Sequence, residues 1–268
     1  MTSERTAAQL EQAIGMLLSD VDEVAVAVSG GVDSMTLAAV CAKALGKRFW
    51  AYHAVSPAVP PLATARVREY AQRYRWQLQV IEAGEFDDPE YRANPFNRCY
   101  FCKRNLYDRI AEHTTKQVFS GANADDLGDF RPGLVAAAER AVRHPYVELN
   151  IDKREMRTLA HALGLVEVQD LPAMPCLSSR VESGIRIEAA DLAFVNEIEE
   201  LLRTGIDAVT VRCRIGHGGV RVELDDNALR VIGPLEEQVR GRCEASGRTF
   251  VGFVPYARGS AFLRPEVA

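Results

Sequence analysis

Apolar positions recur along this chain in two rhythms. Up to about residue 165, short β-rich runs alternate with segments whose apolar residues return every three to four positions. The run 23–28, EVAVAV, predicts a strand, and residues 33–45 predict a helix. A strand follows around 49–54, a helix around 63–74 and a strand around 77–81. A helix over 103–114 leads into a strand over 117–120. This alternation predicts an α/β fold, a parallel sheet with helices on both faces. Ligands in such sheets lie at the carboxyl ends of the strands. The rhythm fades over 170–184, a stretch with two prolines, a cysteine and a serine pair. Beyond it come a helix over 189–203, strands over 208–215 and 220–224, a helix over 235–246 and a β-rich run over 249–254. That order predicts a smaller C-terminal α+β domain. The expected division is 1–168 and 169–268.

Composition narrows the setting. The 268 residues are 47% hydrophobic and 26% charged, which suits a globular core under a charged surface. No apolar run approaches the roughly 18 residues that cross a bilayer. The start, MTSERTAAQLEQAIGMLL, reads as an amphipathic helix with acidic residues among its apolar ones, not as a signal peptide. A net charge of −5 argues against nucleic acid as the main partner. Six cysteines in such a chain suggest a reducing compartment. The expectation is a cytoplasmic protein with no membrane contact.

The first candidate for chemistry is Ser29-Gly30-Gly31-Val32-Asp33-Ser34, between the first strand and its helix. A helix N-terminus offers free N–H groups and a partial positive charge to phosphate. Two glycines let the backbone approach an anion closely. Ser29 and Ser34 add hydroxyl donors, and Asp33 suits either a helix cap or Mg²⁺. The bland alternative is a glycine turn with an ordinary cap.

The cysteines divide by periodicity. Cys213 alternates with Arg212 and Arg214 and faces the same way as Val209, Val211 and Ile215, which is a core pattern. Cys41 and Cys243 sit in apolar helical settings and read as packed thiols. Cys99 and Cys102 form a Cys-x-x-Cys just before the predicted helix, next to Arg98 and Lys103. Cys176 lies in the irregular stretch. Two thiols are too few for zinc's four ligands. Three suit a 4Fe–4S cluster with one iron left open. A redox or persulfide pair and a zinc site remain alternatives. Arg212 and Arg214 share one strand face and predict a phosphate clamp.

Five segments taken in order resemble the LarE family of PP-loop sulfurtransferases: SGGVDS, NRCYFCK (97–103), GANADDLGDFRPGL (121–134), PCLSSR (175–180) and VRCRIGHGGVRVE (211–223). The resemblance implies ATP and Mg²⁺ as cofactors, adenylation of the carboxylate of a small mononucleotide or other acid, and replacement of its oxygen by sulfur. It implies that Ser29, Gly30, Gly31, Asp33 and Ser34 hold pyrophosphate and that Ser56, Gly121 and Asn123 line the nucleotide. It also implies that Asp33 and Cys176 are catalytic. Arg180 is expected to neutralise phosphate or departing AMP. Arg212 and Arg214 are expected on the substrate phosphate, and Glu199 offers a carboxylate to metal. Asp125 and Asp126 suit either metal binding or helix capping. Family members take sulfur either from the cysteine matching Cys176, or from a sulfide on a 4Fe–4S cluster held by Cys99, Cys102 and Cys176 and fed by a sulfide donor. Homo-oligomers are also implied. Alternatives are a nucleobase thiolase, an ammonia-dependent synthetase and a non-enzymatic ATP-binding protein with structural zinc.

Overall fold

A computed structural model describes residues 5–128, 130–172 and 174–257. The remaining residues, including Asp129 of the 121–134 segment, lie outside the described residues. In chain order the elements are α1 (Ala7–Ser19), β1 (Val24–Ala27), α2 (Val32–Leu45), β2 (Phe49–Val55), α3 (Pro61–Arg73), β3 (Gln77–Glu82), α4 (Pro89–Arg92), α5 (Arg98–His113) and β4 (Gln117–Ser120). They continue with α6 (Pro132–Glu139), α7 (Pro145–Glu148), α8 (Lys153–Ala162), α9 (Val166–Gln169), α10 (Ala189–Ile206), β5 (Val211–Gly216), β6 (Gly219–Leu224), α11 (Asp226–Val231), α12 (Gly233–Ala245) and β7 (Phe250–Pro255).

The chain forms two compact units. One comprises residues 1–85 and 99–174; the other comprises 86–98 and 175–268. The cut falls between Met174 and Pro175, inside the irregular stretch. The linear division at 168/169 has no place for residues 86–98, which join the second unit. Backbone bonds explain why: Gly184 donates to the Asn94 carbonyl at 2.9 Å, and Ile187 donates to Arg92 at 2.8 Å. The Asn94 amide, on a residue with φ of 53°, donates to the carbonyls of Glu182 and Ile185. Such long-range stitching leaves no periodic trace in sequence.

The first unit holds a parallel sheet in the order β3-β2-β1-β4. Side chains alternate across a strand, so Val24, Val26, Phe49 and Ala51 enter one core while Ala25 and Tyr52 enter another. The first core receives α1, α2, α3 and α8; the second receives Tyr107 and Ile110 of α5 and Ala137 of α6. Helix α1 buries Leu10, Ile14 and Leu18 at spacings of four. Each is worth about 1.5–3 kcal/mol of burial. Thr6 opens the helix through a capping box with Gln9.

In the second unit β5 and β6 pair antiparallel and β6 and β7 pair parallel. Helix α10 packs on β5 and α12, burying Leu192, Val195, Ile198 and Leu202. Val211 and Cys213 are fully buried as the alternation predicts, but Val209 precedes the strand and is 74% exposed. No helix of the described residues is long and apolar enough to cross a membrane.

Candidate functional site

In the order β3-β2-β1-β4, strand order reverses between β1 and β4, the point where open α/β sheets leave a crevice at the strands' carboxyl ends. SGGVDS leaves β1 there and Gly121–Asn123 leaves β4. Gly30 has φ of 80°, and a Cβ on it would stand 2.7 Å from the Ala63 carbonyl oxygen. Gly31 is the N-cap of α2 and offers no side-chain cap, so the first N–H groups of the helix keep no partner from that side chain. Ser34 is buried; its Oγ accepts from the Ser29 N–H at 3.0 Å and lies 3.1 Å from Ser29 Oγ. A Cβ on Gly121 would lie 2.8 Å from Ser34 N and 2.9 Å from the Asp33 carbonyl carbon. Gly121 is therefore required where the β4 exit presses on the first turn of α2.

The Asp33 carboxylate is held from two sides. Lys153 Nζ reaches both of its oxygens at 2.6 Å, and the Asn123 amide donates to Oδ1 at 3.1 Å. Asp125 accepts from the Lys153 N–H at 2.9 Å. Asp126 accepts from the Asn123 N–H and pairs with Arg131. Both aspartates thus cap and brace local backbone in this structure. Ser56 lies at the end of β2, where its hydroxyl accepts from the Ala58 N–H and closes a turn.

Three residues here escaped the sequence reading. Lys153 opens α8 behind the Asp152–Glu155 capping box, and that Asp-x-x-Glu spacing was the available signal. Arg66 of α3 donates to the Gly30 carbonyl at 2.8 Å, and burial lowers its pKa. His53 of β2 donates from Nδ1 to the Val28 carbonyl at 2.8 Å, so Nε2 accepts from the Thr64 hydroxyl at 2.9 Å. Burial lowers the His53 pKa, which keeps the ring neutral beneath the loop. A groove of about 650 Å³ opens beside Lys153, with Arg154, Arg157 and His161 of α8 along it.

Exposure sorts the six cysteines. Cys41, Cys213 and Cys243 are buried, while Cys99, Cys102 and Cys176 are partly exposed. Burial raises the thiol pKa of the first three, which leaves them protonated and inert. The Cys-x-x-Cys does not precede a helix, as expected from sequence. It occupies the first turns of α5, which begins at Arg98. Three residues apart, Cys99 and Cys102 share a helix face. They belong to the first unit and Cys176 to the second. Within each unit, the described residues gather no group of three or more His, Cys, Asp or Glu able to hold a metal.

Cys176 precedes a 3₁₀ turn, Leu177–Arg180. Its carbonyl accepts from the Ser179 N–H at 3.0 Å, the Ser179 hydroxyl at 2.7 Å and Arg180 Nη1 at 3.1 Å. Arg180 is 2% exposed and forms a fork with Glu199, Nε to Oε1 at 2.8 Å and Nη2 to Oε2 at 2.9 Å. Its Nη1 also reaches the Pro175 carbonyl. Arg180 therefore braces the cysteine turn. Glu199 further accepts from Arg203 and from the Cys213 N–H. Burial opposes its charge, but the Arg180 hydrogen bonds and the charges of Arg180 and Arg203 hold its carboxyl below the ordinary range. Those contacts occupy the carboxylate that was expected to meet a metal.

The two arginines expected as a phosphate clamp also have partners within the second unit. Arg214 donates to Glu223 at 3.0 Å and to the Ser179 carbonyl at 2.9 Å. Arg212 donates to the Val211 carbonyl and lies over the Tyr256 ring. Burial, with the Arg180 charge adding, pushes Arg212 down to about 10. Alternation put both arginines on one face, but could not show that Ser179 and Glu223 would engage Arg214.

Sheet order and the glycine loop at its switch point define the first unit as an α/β domain of the PP-loop class. No family model matches the chain. Over 222 residues it is 38% identical to an uncharacterized protein of Synechocystis sp., covering 81% of this chain and 79% of that protein. An uncharacterized protein of Methanocaldococcus jannaschii is 26% identical over 81% of this chain and 84% of its own length. The pyridinium-3,5-bisthiocarboxylic acid mononucleotide synthase of Lactiplantibacillus plantarum is 26% identical over 87% of this chain and 86% of its own. The chain belongs to the same family as the Synechocystis protein, and its likeness to the Lactiplantibacillus synthase is that of a more distant relative.

Proposed function

We propose that this protein is an ATP-dependent sulfurtransferase acting on the carboxylate of a small mononucleotide, in the line of its Lactiplantibacillus relative. The loop at the β1–β4 switch point would hold the pyrophosphate of Mg·ATP while a substrate carboxylate oxygen attacks the α-phosphate. Pyrophosphate leaves, and the acyl adenylate then loses AMP to a sulfur nucleophile. Adenylation is needed because a carboxylate oxygen is a poor leaving group. Cys99, Cys102 and Cys176 would ligate a 4Fe–4S cluster, which supplies an open iron for the sulfide to be transferred.

The observation that carries the sulfur chemistry is the division of the thiols: three are buried and protonated, and the remaining three are the family-matched ones, each partly exposed. The test is anaerobic purification with an iron assay, joined to turnover of a pyridinium dicarboxylate mononucleotide with ATP. Iron near four per chain and AMP formation are expected, with Cys176→Ala retaining AMP formation and losing sulfur transfer. Stoichiometric zinc, or sulfur transfer undiminished in Cys176→Ala, refutes the proposal. Conversion of Cys176 to dehydroalanine after one turnover would replace the cluster by the sacrificial route.

A further inference from the structure

The pairing of Lys153 with Asp33 goes beyond that reading, although it rests on it. Lysine is an odd choice for the first position of α8. That end of a helix carries partial positive charge and favours Asp or Glu. Local rules tend to be broken where function demands it. Here the capping box Asp152–Glu155 already closes the helix start, so Lys153 is not required to form it. Its backbone N–H is held separately by Asp125. Its side chain instead crosses 120 residues of sequence to meet both oxygens of Asp33 at 2.6 Å. Asp33 stands in the first turn of α2, so this one ion pair joins the first turns of two helices.

We infer that Lys153 is a phosphate-binding residue of this loop and that it guards Asp33 when no nucleotide is bound. An entering nucleoside triphosphate offers the ammonium group phosphate oxygens in place of the carboxylate. Asp33, still held by Asn123, is then released to the divalent cation that accompanies the nucleotide. One side chain thereby couples the two arrivals: the cation finds Asp33 open only when phosphate has taken Lys153. Both partners are about one-third exposed, so the exchange needs no opening of the core.

The coupling makes opposed predictions for Lys153→Met, which removes the charge and keeps the stem. In equilibrium binding with Mn²⁺ alone, the variant should bind the ion at least threefold more tightly than the parent protein. With the α,β-methylene analogue of ATP and Mg²⁺, it should bind roughly ten- to a hundredfold more weakly, the loss of one charge-assisted contact. AMP should change less than twofold, and Lys153→Arg should return the analogue to within threefold. A purely structural role moves analogue, AMP and Mn²⁺ together, and that result overturns the inference. So does unchanged analogue binding in Lys153→Met while the parent protein binds normally, an outcome that leaves the proposed function standing. A parent protein that binds neither the analogue nor AMP sinks both.

Discussion

Replacing Glu199 by Gln removes the negative charge that balances Arg180 and Arg203 while leaving the shape of the side chain. Glu199 is fully buried and accepts four hydrogen bonds: two from Arg180, one from Arg203 and one from the Cys213 N–H. Breaking a buried pair from one side costs about 3–5 kcal/mol, because the partner charge stays buried. Gln keeps an oxygen for part of the set, which points to the lower end, about 3 kcal/mol. At about 1.4 kcal/mol per decade this is roughly a hundredfold. The loss should appear as faster hydrogen exchange of the β5 amides, residues 211–216, measured by mass spectrometry. Both tryptophans, Trp50 and Trp76, lie in the first unit, so their fluorescence in a urea titration serves as the internal control. The cysteine turn depends on the same Arg180, so Cys176 should also react faster with a thiol reagent. Exchange of residues 211–216 within threefold of the parent protein would refute the claim that Glu199 stabilises β5.

Two further predictions concern the loop of the first unit. Gly30→Ala places a Cβ against the Ala63 carbonyl at a φ of 80° and should cost at least about 1–2 kcal/mol. Gly31→Ala, whose Cβ meets only Ser29 Oγ at 3.6 Å, should cost only about 0.5–1 kcal/mol, that of a poorer N-cap; a urea midpoint lower for Gly31→Ala than for Gly30→Ala, by tryptophan fluorescence, would contradict the packing described. His53 is neutral in the folded state because burial lowers its pKa, whereas the unfolded chain takes up a proton below about pH 6.5. Its stabilising contribution is therefore complete above that pH and declines as pH falls towards the folded pKa, by up to about 1.4 kcal/mol per pH unit. His53→Gln should show a shallower loss of stability between pH 7.5 and 5.5, with His144, shifted the same way by burial, supplying the remaining slope; an unchanged slope would rule His53 out as the source.

Much of the architecture was legible in the chain because strands and helices impose their own periods on apolar residues. The predicted strand over 117–120 matches β4, and those over 49–54 and 77–81 fall one residue short of β2 and β3. The glycine turn between β1 and α2 was legible for the same local reason: glycines, a helix start and hydroxyls stand within six consecutive positions. Burial of Cys41, Cys213 and Cys243 followed from period alone. Other features depend on partners far apart in sequence, which no local pattern encodes. Nothing local announced that Glu199 stands opposite Arg180, or that Ser179 and Glu223 engage Arg214. Lys153 looked like one charge among many until the fold carried it to Asp33. A charged side chain's role is decided by what it meets. The sequence determined which groups were available and on which faces, while the tertiary structure decided which charges neutralise one another and which stay accessible to a ligand.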